Sequence, residues 1–235
     1  YGQIVSDDLT IDANSDKVKG IINGAGGRIT QNSSEGNGAI LGKNETVENW
    51  GVISDKSTGG FAISGFNLVD NKGTIEAENV GIKNSAKIIN SGIIQSKDTG
   101  VKNVASVENS EGGSIYGGAS GVDNSGMSRS NTIVNDGVIS QKAFTKPNGQ
   151  RWDGSAITGN IDTTSITNNK TGIIGSESVN PTIKNVKNID NLGQIISSNA
   201  FSAIAVQDVT DITNKGLISS TNSIAINRVK NLNNN

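Results

Sequence analysis

Val47-Glu48-Asn49-Trp50-Gly51-Val52-Ile53 is followed by Val69-Asp70-Asn71-Lys72-Gly73-Thr74-Ile75, and then by Ile88-Ile89-Asn90-Ser91-Gly92-Ile93-Ile94. The shared pattern is apolar, any, Asn, any, Gly, any, Ile. It returns at residues 133–139, 189–195 and 212–218, and three further copies, at 21–29, 107–115 and 166–174, carry two extra residues between the Asn and the last Ile. A trace of its end opens the chain at Gly2-Gln3-Ile4, and a trace of its beginning closes it at Leu232-Asn233-Asn234. Successive motif asparagines lie between 19 (Asn71 to Asn90) and 33 residues apart (Asn135 to Asn168). A period in this range marks a stacked repeat, in which each unit buries its apolar face only against its neighbours.

Two weaker signals recur in each interval. One is a small residue followed by an apolar one, as in Gly38-Ala39-Ile40, Ala62-Ile63, Gly81-Ile82, Gly100-Val101, Gly121-Val122 and Ala156-Ile157. The other lies three residues before the motif and is clearest as Val104, Val186, Val209 and Val229. Three short β-branched pieces per interval, too rich in Gly and Asn for helix, predict an all-β fold. The expected architecture is a parallel, right-handed β-helix of about ten coils with three short strands each. It would be a rod ~45 to 50 Å long, at about 4.8 Å per coil.

The pattern assigns the motif residues. Side chains alternate faces along a strand, so the apolar positions point inward and stack on their equivalents in the next coil. The motif asparagines, Asn23, Asn49, Asn71, Asn90, Asn109, Asn135, Asn168, Asn191 and Asn214, are read as a structural ladder of amides bonded from coil to coil. The Gly two positions later is expected to take a positive φ or to allow a close backbone approach.

Composition agrees with a narrow core: of 235 residues, 30 are glycine and only 3% are aromatic. Acidic and basic residues are interspersed and the formal net charge is −2, so no overall field favours nucleic acid. With neither cysteine nor histidine, thiolate and imidazole chemistry is absent and the commonest zinc ligands are missing, so neither a cofactor nor a metal is expected. No apolar run has the length of a membrane span, and no membrane insertion by residues 1–235 is expected. Residues 1–8 lack the features of a secretion signal. The chain starts and stops within the repeat, which suggests a single β-helix segment, 1–235, of a longer protein.

In a repeat protein, function is expected where the repeats differ. The longest departure is the excursion at 141–154, which contains Phe144, Lys146, Pro147, Arg151 and Trp152. Grouped aromatic and basic side chains have the composition of a binding hot spot, and they also suit a plug folded back over the rod. A smaller excursion spans 123–132, with Met127 and Arg129. Trp50 occupies a slot filled elsewhere by Lys72, Ser91, Asp136 and Lys215, and is expected either to face a partner or to pack on a neighbouring turn. Phe144, Lys146, Arg151, Trp152 and Trp50 are therefore the candidate binding residues. An enzyme is not expected: polysaccharide-cleaving β-helices need clustered carboxylates, whereas Glu76, Glu78, Asp190, Asp208 and Asp211 look single and outward-facing. No nucleophile elbow or phosphate loop is present either.

The Ile-x-Asn-x-Gly-x-Ile units, spread over nearly the whole chain, resemble the passenger regions of classical bacterial autotransporters, the type V secreted proteins of gram-negative bacteria. The bias toward Asn, Lys and Ile is similar to that of the large fusobacterial-type adhesins. The resemblance implies a cell-surface or extracellular adhesin rod, anchored by an outer-membrane β-barrel outside this segment and involved in adhesion, aggregation or virulence. Implied partners are a host-cell surface protein or glycan, another bacterial surface, or a second copy of the chain. The alternative is a purely structural stalk that presents a binding tip elsewhere.

Overall fold

The computed structural model describes residues 2–15, 17–143, 153–199, 204–221 and 223–235. Among these residues every regular element is a β-strand and every strand pairing is parallel. The chain winds through about nine turns of a three-faced β-solenoid, close to the coil number expected from the repeat.

The first face holds the ends of the motifs, ten strands running from Gln3–Ser6 through Val52–Asp55, Thr74–Ala77, Ile93–Ser96 and Ser114–Gly117 to Leu217–Ser220. The second face holds the small-apolar signal, for example Phe61–Ser64, Val80–Lys83 and Thr99–Lys102, and the third holds the motif beginnings, such as Leu68–Asn71, Lys87–Asn90 and Ser106–Asn109. In the last three coils the second and third faces merge into nine-residue strands, Ile183–Asn191, Val206–Asn214 and Ile226–Asn234.

Register follows the repeat. Ile53, Ile75, Ile94, Ile115, Ile139, Ile174 and Ile195 pair in succession along the first face and are fully buried. Val69, Ile88, Val107 and Ile133 form the matching column on the third face, and Ile63, Ile82, Val101 and Val122 the one on the second. Three columns of β-branched side chains thus fill a core one side chain deep. Val104, Val186 and Val209, the third recurrent signal, are buried in it too. Phe66 occupies the same position in its coil; its ring lies over Gly42 of the preceding coil, and its backbone N–H donates to Ser85 Oγ of the next at 3.4 Å. A Cβ on Gly42 would come within 2.2 Å of the Phe66 ring, so the glycine is the space the ring needs.

Two of the three corners are built by recurring devices. Between the third and first faces stand the motif Asn and Gly. The glycines there stack backbone to backbone: a Cβ on Gly73 would meet the Gly51 carbonyl oxygen at 2.2 Å, and one on Gly92 the Gly73 oxygen at 2.1 Å. Close approach, not positive φ, is what excludes a side chain at these positions. Left-handed backbone occurs at this corner only in the longer motif copies, at Gly26 and Gly112, and recurs at the corner between the second and third faces, at Asn44, Gly65, Asn84, Asn103, Asn185, Asp208 and Arg228. Asn tolerates this conformation best among residues with a side chain. At the last two sites, Arg228 donates from Nε and Nη2 to the two Asp208 carboxylate oxygens, both at 2.6 Å, across adjacent coils. That pairing holds the Asp208 carboxyl below its usual range.

Candidate functional site

The motif asparagines form a continuous amide column. Asn23 donates from Nδ2 to Asn49 Oδ1 at 2.7 Å, Asn49 to Asn71 at 2.8 Å, and the series runs without a break through Asn90, Asn109, Asn135, Asn168 and Asn191 to Asn214. It extends one step further to Asn234. Every amide points the same way, with its nitrogen toward the next coil. Each nitrogen also reaches backbone carbonyls; Asn90 Nδ2, for example, bonds Gly92 O at 3.1 Å and Ser114 O at 3.2 Å. Buried and bonded to both neighbouring coils, these amides hold the turns and do not face solvent.

The outer surface of the first face carries side chains in register from coil to coil. Alternation that sends Ile53, Ile75, Ile94 and Ile115 inward sends Ser54, Glu76, Gln95 and Tyr116 outward, one coil above another. The next register position carries Lys56, Glu78 and Lys97, followed by Gly118 and Lys142. Between these rows runs an open groove of about 390 Å³. Lys97 and Glu78 form an ion pair along the second row at 2.7 Å, and Gln95 Nε2 donates to Glu76 Oε2 along the first at 3.4 Å. At its far end Lys142 leans back one coil, its Nζ 3.9 Å from the centre of the Tyr116 ring. One coil beyond Tyr116 in the same outward row, the Ser140 hydroxyl is buried without a hydrogen-bond partner.

Asp55 also lines the groove. Its carboxylate, buried at the corner, accepts the Ser57 hydroxyl at 2.9 and 2.8 Å. Burial pushes its pKa up to about 6; the Ser57 bonds oppose that rise and neighbouring Glu78 adds to it. Asp55, Glu76 and Glu78, which look isolated along the sequence, are brought by stacking to one groove.

Of the residues selected from sequence, Phe144, Lys146, Arg151 and Trp152 lie outside the described residues. The stem of their excursion is placed. Gln141 Nε2 donates to Gly118 O at 2.7 Å and Lys142 N to Gly117 O at 3.0 Å, so the segment leaves the shaft at the Tyr116 end of the groove. Trp50 is 49% exposed and lies under Lys72, whose Nζ is 4.3 Å from the ring centre and 2.7 Å from Asp70. It thus packs against the neighbouring turn while keeping half its surface in solvent, and it does not line the groove.

The excursion at 123–132 is stitched down. Asn124 Nδ2 bonds Val104 O at 2.8 Å and Asn131 Oδ1 at 3.0 Å, and Thr163 Oγ1 donates to Met127 O at 3.0 Å. Met127 and Arg129 flank a second, open cleft of about 500 Å³ beside Asn84 and Asn103. Among the described residues no group of three or more Asp or Glu could hold a metal ion, and no helix is long and apolar enough to cross a membrane.

These features define a class by architecture: a parallel β-solenoid whose regular positions build the shaft and whose irregular ones decorate it. No protein-family model, curated protein or solved structure matches the chain.

Proposed function

We propose that this chain is a length of surface-exposed adhesin rod, non-catalytic, in which the coils supply reach and the side of the shaft supplies contacts. The observation that carries the reading is the separation of tasks along the chain. Motif asparagines and inward isoleucines are consumed by stacking, whereas the groove from Ser54 to Tyr116 and the described stem of the 141–154 excursion, Gln141 and Lys142, lie together on the outside. A regular shaft with irregular side chains on its outside suits adhesion. The sequence resemblance to autotransporter passengers agrees with it. On this reading the rod stands outside the cell, held by an outer-membrane anchor in another part of the protein, and its partner is a host-cell protein or glycan or another bacterial surface.

Flow cytometry with the purified, fluorescently labelled chain tests this. The chain should label target cells, and a version in which residues 144–152 are replaced by a short Gly/Ser linker, leaving the Gln141 and Lys142 stem in place, or one carrying Phe144→Ala with Trp152→Ala, should label them more weakly while melting at the same temperature. A chain that labels no cell type would be a stalk only.

A further inference from the structure

The geometry points to the outer groove of the first face as a binding site for a neutral, hydroxyl-rich glycan strand lying along the rod axis. This inference deepens the adhesin reading and rests on it. Its floor repeats with the coils: beyond the buried Ser54, whose hydroxyl donates to Thr30, Glu76, Gln95 and Tyr116 follow one another at the strand spacing of about 4.8 Å. An extended chain of pyranose rings advances by a similar distance per sugar, so one sugar can meet one coil. The volume, about 390 Å³, is that of a small-ligand site, and its lining is almost wholly polar, with side chains in rows that follow the coils.

Charge selects against an acidic polymer. Lys56, Lys97 and Lys142 are matched in number by Asp55, Glu76 and Glu78, so the groove carries no net field to attract an anion. Carboxylate and amide side chains such as Glu76 and Gln95 offer paired acceptor and donor positions, which suit the vicinal hydroxyls of a sugar. Tyr116, with one polar atom on an apolar ring, closes the end.

Geometry also selects against a peptide. An extended peptide gains its affinity by adding to a sheet edge through main-chain hydrogen bonds. Here the backbone of the first face is already paired coil to coil, from Gln3–Ser6 to Leu217–Ser220, and the groove lies across the face. Only side chains are on offer, and hydroxyl groups are what such side chains read.

The test titrates the purified chain with soluble neutral polysaccharides (a mannan, a β-glucan and a galactan) and with two acidic ones, heparin and polygalacturonate, at low and high salt. At least one neutral polymer should bind with little salt dependence. Tyr116→Ala and the double variant Glu76→Ala/Gln95→Ala should each weaken that binding about tenfold or more, with unchanged circular dichroism, and Trp50→Ala should leave it intact. Binding restricted to acidic polymers and abolished by salt, binding indifferent to the groove variants, or no binding to any neutral polymer would each overturn the inference. Cell labelling that survives the groove variants removes the groove and leaves the adhesin reading standing. Loss of all cell labelling removes the adhesin reading, while the polysaccharide titration still reports on the groove by itself.

Discussion

Asn90 shows how much one side chain carries. Its nitrogen bonds three acceptors and its oxygen receives Asn71 Nδ2 at 2.8 Å, all in a buried turn. Asn90→Ala should cost about 2 to 3 kcal/mol in urea denaturation, because partners on both neighbouring coils lose their bonds. Asn90→Asp should be worse at neutral pH, since the new carboxylate oxygen would face the Gly92 and Ser114 carbonyls without a proton to donate; part of the loss should return in acid. Asp55 behaves oppositely to most carboxylates. Its folded pKa, about 6, lies above the ordinary value of 3.8, so the folded chain binds a proton more tightly than the unfolded one. Stability contributed by that proton is full below about pH 4 and is lost as pH rises through about 6. Melting temperatures of the wild-type chain should therefore fall between pH 4 and pH 7 more steeply than those of Asp55→Asn. At pH 7.5 the variant should be the more stable of the two, by up to about 2 to 3 kcal/mol.

At the level of strands and turns, the glycines separate into those that are required and those that are not. Gly73→Ala drives a Cβ to within 2.2 Å of a backbone oxygen that cannot move without shifting a whole coil. It should cost several kcal/mol or prevent folding. Gly59, where nothing lies within 4 Å, should accept Ala with a change of about 0.5 kcal/mol or less. Paired thermal melts of the two variants check this contrast. Sequence reading could locate the motif strands because their signal is periodic: Ile at a fixed offset from Asn-x-Gly leaves one register in which identical residues stack. The corner at Asn44, Asn84 and Asn103 went unread because an outward Asn in left-handed backbone resembles any other loop Asn. Phe66 was missed because its partner is an absence of volume, Gly42, one coil away. The groove escaped for a related reason. Ser54, Glu76, Gln95 and Tyr116 share no residue type, and only the register of four coils shows that they form a row.

For the molecule as a whole, each coil touches chiefly its two neighbours, so stability should be a sum of coil and nearest-neighbour terms. Damage in one coil should then weaken its surroundings more than the far end. Hydrogen exchange on Asn90→Ala should show faster exchange of the Lys87–Asn90 and Ser106–Asn109 strands, with the Ile183–Asn191 strand little changed. Uniform acceleration along the chain would mean that the shaft behaves as a single cooperative block.

The direction of the inter-coil bonds bears on how such a shaft fails mechanically. Backbone ladders and asparagine amides alike run parallel to the long axis, joining each winding to the next. Tension applied through the two termini reaches these bonds in series and opens the outermost winding first, so an optical trap should record a sawtooth in which each tooth releases the length of one winding. A sideways push meets many windings at once. The same chain would pay out like a rope under a pull and resist bending like a post, which is a useful combination for anything that must hold one surface to another in flowing liquid.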